Sequence, residues 1–185
     1  MDEPRDIDTR LMLAFRAGDV AAFEELVRRN ARRMAALAAR YLGDASEAED
    51  VVQEAFIRVH RARRRYRPTA RFTTWLHRIV VNLALNRRRS RRVPPISSLG
   101  PGARLVREPP DDGPGPAARI EAEDRRLEIE AALAELPAKQ RMAILLNLWK
   151  GLRYEEVARA MGLRTGAVKS LLFRARENLR GRLVR

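Results

Sequence analysis

The chain has 185 residues, enough for one ordinary domain or two small ones, and a formal net charge of +14, with 35 arginines against 3 lysines. It has no cysteine, which excludes disulfides and thiolate chemistry, and its two histidines, His60 and His77, lack ligand spacing, so no metal or cofactor is implied. No apolar run approaches the ~18 residues of a membrane span. The start, Met1-Asp2-Glu3-Pro4, is acidic, unlike a secretory signal, and a cytoplasmic protein is expected.

The first part reads as helices. Phe23, Leu26, Val27, Met34, Leu37 and Tyr41 recur near helical spacing, and Gly43-Asp44 ends that segment. Ser46 with Glu49 matches a capping box and opens the next helix, whose apolar stripe is Val51, Val52, Ala55, Phe56 and Val59. Thr73 or Thr74 is expected to cap a third helix that buries Leu76, Ile79, Val80 and Leu83. No alternating strand pattern occurs.

Residues 93–119 differ. Seven of the ten prolines fall between Pro94 and Pro116, with four glycines among them, a composition that builds no core and reads as a flexible linker. Helix resumes near Ile120, with Ile129, Leu133 and Leu136 on one face and Pro137 in the first turn of the following helix. Residues 142–149 are expected to be deeply buried, and Gly151 stops that helix. Tyr154 to Met161, a Gly162-Leu163-Arg164 turn and a helix from about Thr165 form a helix-turn-helix, with Gly162 where positive φ is needed. The expected fold is all-α: a helical bundle over 1–92, a Pro/Gly-rich linker over 93–119 and a helix-turn-helix domain over 120–185.

The charge is laid out in blocks. Residues 44–54 carry five acids and no base, whereas residues 58–92 carry thirteen arginines and no acid. Aromatics and amides (Tyr66, Phe72, Trp75, Asn82, Asn86) sit among those arginines. Arginine neutralises phosphate and aromatic faces stack on bases, so a nucleic acid is the natural partner of the basic block. Core packing is the competing reading for Phe72 and Trp75. The run Arg87 to Arg92 suits phosphate contact or a solvated tail. On the acidic helix, Asp50, Gln53, Glu54 and Ile57 fall at i, i+3, i+4 and i+7, one continuous face opposite the apolar stripe. Ile57 on that polar face points to docking; the alternative is a solvated charged face.

In the helix-turn-helix, Val157, Ala158, Leu163, Val168 and Leu172 would form the core. Thr165, Lys169, Ser170, Phe173 and Arg174 then lie on or near the outer face of the second helix. Residues 164–185 hold seven bases and one acid. Short polar groups for base edges and basic groups for phosphate are what a helix in a major groove requires. A basic hairpin used for protein packing is the alternative.

The stretch Asp44-Ala-Ser-Glu-Ala-Glu-Asp-Val-Val-Gln-Glu-Ala-Phe56, with Phe72-Thr-Thr-Trp-Leu-His-Arg-Ile-Val-Val-Asn-Leu-Ala-Leu-Asn86, closely resembles region two of bacterial sigma factors, most of all the extracytoplasmic-function group. Leu136-Pro-Ala-Lys-Gln-Arg141, Tyr154-Glu-Glu-Val-Ala158 and Gly166-Ala-Val-Lys-Ser170 with Arg174-Ala-Arg176 resemble region four of that group. The resemblance spans about residues 8–92 and 120–183, in the family's order. It implies a non-catalytic subunit that binds core RNA polymerase (β′ clamp and β subunits) and promoter DNA, with an anti-sigma protein as a further partner. By resemblance, Asp50, Gln53, Glu54 and Ile57 dock on the β′ clamp coiled coil. Tyr66, Arg67, Arg71, Phe72, Trp75, Arg78, Asn82 and Asn86 serve the minus-ten element, the turn from Tyr66 to Phe72 capturing an extruded base. Thr165, Lys169, Ser170, Phe173, Arg174 and Arg176 serve the minus-thirty-five element. Leu171 and Ala167 depart from the family's usual arginine and threonine and bear on the minus-thirty-five preference.

Two other classes compete. A stand-alone helix-turn-helix regulator would leave the acidic helix unused and would act as a dimer on a palindrome. A nucleic-acid enzyme would need a metal or acid–base site, and the acids here cluster on one helix face without a histidine or a phosphate-cradling loop.

Overall fold

The computed structural model describes residues 6–90 and 116–183, with the helical backbone alone for 116–123. All regular structure among the described residues is helical. The first half holds α1 (Ile7–Ala17), α2 (Val20–Leu42), α3 (Ala45–Ala62), a 3-10 turn (Arg63–Arg65) and α4 (Phe72–Ser90). The second holds α5 (Pro116–Ala134), α6 (Ala138–Ile144) running into a π-turn (Leu145–Trp149), α7 (Tyr154–Met161) and α8 (Thr165–Leu183). Most of the expected linker lies outside the described residues.

The early helix ends follow local chemistry. Gly43, at φ 77°, turns the chain out of α2 in a conformation that glycine adopts without steric cost. Asp44 leaves that turn extended, and its carboxylate accepts the Glu47 amide hydrogen at 2.9 Å. Asp44 is therefore the cap, in place of the expected pair Ser46 and Glu49, because it is the first residue with the extended backbone a cap requires. The apolar stripe of α3 is buried as expected.

The start of α4 is set from afar. The helix begins at Phe72, one residue before the expected threonine caps, and Thr74 is buried in its first turn. The Phe72 amide donates to Thr9 Oγ at 3.0 Å and to Asp6 Oδ2 at 3.3 Å. Both acceptors belong to the N-terminal end of α1, so a tertiary contact satisfies a donor that the helix itself leaves open.

In the second half Leu133 and Leu136 are buried, but Ile129 is exposed; α5 packs on α8, and its buried residues, Ala132 and Leu133, lie near its C-terminal end. Met142 to Leu146 are buried, whereas Leu148 faces solvent. The π-turn changes the helical period at Leu145, so Asn147 to Trp149 no longer follow the buried face of α6. Gly151, at φ 64°, ends the segment.

The halves are not independent. α7 packs along α4, α2 touches the π-turn, and the buried residues of both halves form one continuous core. At this seam Arg141 of α6 lies over the Tyr41 ring and donates to the Arg40 carbonyl oxygen. Arg40 lies over Trp149, 4.6 Å from the ring centre.

Candidate polymerase and nucleic-acid interfaces

Burial of its apolar stripe against α2 and α4 turns the other face of α3 outward. Asp50, Gln53 and Ile57 are exposed and Glu54 is half-exposed, so the expected docking face is one solvent-facing strip. Ile57, 38% exposed, borders an apolar groove of about 620 Å³ between α2 and α3. Phe23, Val27 and Phe56 line it, with Gln53 at its edge. The acids of the strip are partly neutralised: Arg58 Nε is 2.8 Å from Glu54 Oε1, and Arg87 Nη2 is 2.9 Å from Asp50 Oδ2.

The turn before α4 departs from expectation. Tyr66 is 4% exposed and Phe72 fully buried, and both rings pack on Trp75, at 5.0 and 5.9 Å between centres. These two aromatics are therefore core, and they brace the turn rather than offering a stacking face to solvent; Trp75 remains half-buried. Burial raises the Tyr66 phenol above its ordinary pKa. Arg16 Nη1 donates to the Tyr66 carbonyl oxygen at 3.0 Å, a second tie from α1 to the turn. The sequence signal was ambiguous here because large aromatics serve both purposes.

What the turn does expose is basic. Arg67 and Arg71 are exposed, and Arg78, Asn82 and Asn86 follow as an exposed row along α4. α7 covers a different side of α4, where His77 is 7% exposed. Among the turn, α1 and α2 lies a pocket of about 480 Å³ that includes Asp6, Thr9, Arg29 and Arg71. Asp6, Thr9 and Arg29 escaped the sequence reading, since nothing local ties α1 to a turn some sixty residues away.

Gly162, at φ 65°, makes the turn of the helix-turn-helix, and Val168, Leu172 and Ala175 anchor α8. Lys169, Ser170, Phe173, Arg174 and Arg176 are exposed, and Thr165 is half-buried at the N-terminal end. Phe173 is 66% exposed, a large apolar side chain left open to solvent. Arg176 Nη2 donates to Asn147 Oδ1 at 3.3 Å, which draws its side chain toward the π-turn. The structure thus brings the candidate residues together as three separate faces, on α3, on the turn with α4, and on α8.

His77 at the seam is held by its Nδ1, 2.7 Å from the Thr73 carbonyl oxygen, so Nδ1 carries the proton of the neutral ring. Its pKa is lowered, chiefly by burial, with Lys150 and Arg33 adding to the effect. Arg141 is 5% exposed, and burial, with Arg88 nearby, lowers its pKa to about 10. Among the described residues no group of acids and histidines is placed to hold a metal, and no helix is long and apolar enough to cross a membrane.

Comparison with known proteins agrees with this geometry. Residues 26–93 match the family profile of sigma-70 region 2, and residues 126–179 match that of sigma-70 region 4. The chain is 36% identical over 179 residues to the RNA polymerase sigma-H factor of Pseudomonas aeruginosa, covering 92% of this chain and 90% of that one. It is 37% identical over 177 residues to the ECF RNA polymerase sigma-E factor of Escherichia coli K12, covering 92% and 91%. Against the ECF RNA polymerase sigma factor SigE of Mycolicibacterium smegmatis it is 37% identical over 186 residues, covering 99% and 71%. Among solved structures, that of CnrH in complex with the cytosolic domain of CnrY superposes with a TM-score of 0.68 at 28% identity, covering 95% of this chain and 96% of CnrH. The Bartonella quintana sigma factor RpoE, solved with the anti-sigma factor NepR, shares the fold at a TM-score of 0.66 and 24% identity, covering 89% and 98%. This chain belongs to the extracytoplasmic-function group of RNA polymerase sigma factors, the subunits that direct the polymerase to initiate at particular promoters.

Proposed function

We propose that the three exposed faces divide the work of initiation. The strip Asp50, Gln53, Glu54 and Ile57 docks on the β′ clamp coiled coil. The turn and α4, through Arg67, Arg71, Trp75, Arg78, Asn82 and Asn86, read and help to open the minus-ten element. Tyr66 and Phe72 act there by bracing the turn. α8, through Thr165, Lys169, Ser170, Phe173, Arg174 and Arg176, reads the minus-thirty-five element. The protein works in the cytoplasm, where polymerase and promoter are, and performs no bond chemistry of its own.

One observation carries this reading. A docking strip and two rows suited to DNA are exposed at once on three different helices, and of their residues only Trp75 packs against the core. A stand-alone regulator has no use for the first of them. The α7–α4 seam must open for the two rows to reach separate promoter elements. The chain between α4 and α5, residues 91–115, spans at most roughly 85 Å when extended, which permits that separation.

The apolar groove between α2 and α3 supports control by an anti-sigma protein. A partner helix seated there would cover Gln53 and Ile57 and exclude polymerase from the same strip. The relative CnrH is seen bound to the cytosolic domain of CnrY, which is in keeping with such a partner.

The test is transcription in vitro with core polymerase from the same source and genomic promoter fragments. Specific start sites that vanish with Asp50→Arg or Gln53→Ala are the expected result. Duplex binding by the protein alone, with no binding to core polymerase, would overturn the reading.

A further inference from the structure

Resting on the reading of the 66–72 turn as the base-capturing segment, we propose that the group identifying the extruded base comes from the N-terminal cap of α1: the Asp6 carboxylate, facing the pocket beside the turn, selects a base with an exocyclic amine (cytosine, adenine or guanine) over thymine, which has none.

The pocket is built from three elements. Pro68, Ala70 and Arg71 come from the turn, Asp6, Ile7 and Thr9 from the start of α1, and Arg29 from α2. Its volume, about 480 Å³, lies within the range of small-ligand sites. Pro68 and Ile7 offer apolar surface to the faces of a planar ring. Flipped bases are held in this manner, with hydrogen bonds along the Watson–Crick edge.

The carboxylate is held in place before any base arrives. Thr9 Oγ donates to Asp6 Oδ2 at 2.7 Å, and the Phe72 amide donates to the same oxygen at 3.3 Å. Both ties end on Oδ2, so the carboxylate is oriented through one oxygen while Oδ1 can accept from a ligand. A carboxylate oxygen accepts from an amine and is repelled by a carbonyl oxygen. Cytosine and adenine each present an amine beside a ring acceptor, and guanine an amine and a ring N–H beside a carbonyl oxygen, whereas thymine presents two carbonyl oxygens about a ring N–H and no amine. The exposed Arg71 supplies donors for the acceptor of the same edge. Arg29, also on the pocket wall, is occupied with Asp8 at 2.7 Å and helps to keep the region from becoming net acidic.

The same contacts give Asp6 a second consequence. Its Oδ2 receives the first amide of α4, so a base held at Oδ1 sits against the group that fixes where the DNA-facing helix begins. Base capture and the placement of the Arg78–Asn82–Asn86 row are thereby mechanically joined.

The test is selection from a pool of single-stranded DNA randomised across the minus-ten element. Holoenzyme assembled from core polymerase and the full chain binds the pool, and the bound fraction is sequenced. Wild type is expected to enrich bases with an exocyclic amine over thymine at one position. Asp6→Asn, whose amide presents a donor as well as an acceptor, is expected to shrink the amine-to-thymine ratio there by about tenfold, the loss of one good base contact. A ratio measured within one protein does not depend on how much of that protein is folded, so general destabilisation cannot mimic the result. A preference that survives intact in Asp6→Asn overturns the role of Asp6 and leaves base capture standing. Absence of any base preference in wild type removes base capture itself, and the Asp6 inference with it.

Discussion

Arg87, near the C-terminal end of α4, reaches across to α3 and pairs with Asp50 at 2.9 Å, so the helix proposed to meet DNA holds a residue proposed to meet polymerase. Glu47 lies 3.7 Å from the same guanidinium. Both members of the Asp50 pair are well exposed, and exposed pairs contribute about 0–1 kcal/mol. The pair is weak enough to be exchanged when polymerase offers Asp50 another cation. Arg87→Ala should therefore leave the melting temperature nearly unchanged and leave core polymerase binding unchanged or up to about fivefold tighter. Fluorescence titration of labelled protein with core enzyme checks this. A clear weakening would mean that Arg87 orients Asp50 instead of competing for it.

His77 makes the α4–α7 seam sensitive to acid. The charged groups around it are Lys150, Arg33 and Glu156, and only Glu156 favours the protonated ring. Its pKa is lowered in the closed form and returns toward 6.5 when the halves part. Above about pH 6.5 the ring is neutral in both forms and the seam keeps its full stability. As pH falls below that value the open form takes up a proton that the closed form resists, and closure weakens by at most about tenfold per pH unit. Energy transfer between dyes on the two halves, recorded from pH 8 to 5, should report opening in wild type and a flatter response in His77→Gln. Identical profiles would exclude His77 as the titrating group.

Arg141 is a buried cation with poor compensation. Its Nε and Nη1 find no hydrogen-bond partner among the described residues, and Arg88 and Arg40 crowd the same seam, with Glu130 as a nearby acid. An apolar side chain of similar length should do as well, since a buried charge costs more to desolvate than such contacts return. Arg141→Met is expected to change stability by less than about 1 kcal/mol or to increase it. Urea unfolding decides the matter, and a loss of about 3 kcal/mol or more would show the guanidinium to be well satisfied.

Phe72 and Phe173 should respond in opposite ways. Phe72 is fully buried, and Phe72→Ala should cost about 3–5 kcal/mol, enough to unfold much of the first half. Phe173 stands 66% exposed on α8, so Phe173→Ala should alter stability by less than about 0.5 kcal/mol. If α8 reads the minus-thirty-five element, the same change should weaken binding to a promoter duplex at that element. Thermal melting with duplex titration separates the two effects; a large stability loss in Phe173→Ala would assign it to packing.

The helices were legible where the pattern was periodic and the ends were local. The α3 stripe, the Gly43 stop and the Gly162 turn are each set by a few neighbouring residues, and all stand as expected. So were the exposed faces, because burial of a stripe determines what is left outside. Placing the caps of α3 and α4 failed for two different reasons. Asp44 won over Ser46 on backbone conformation, and α4 takes its cap from α1, which no local pattern announces.

By itself the sequence determined an all-α chain in two halves, a strongly basic partner surface and the sigma-factor family, since period, charge and motif order are properties of the covalent chain. Only the tertiary structure decided that Tyr66 and Phe72 are core, that Asp6 stands in the pocket beside their turn, and that α7 closes on α4. An aromatic or a carboxylate carries the same chemistry wherever it stands. Whether it is covered, and by what, depends on contacts between residues dozens of positions apart, and those exist only once the chain has packed.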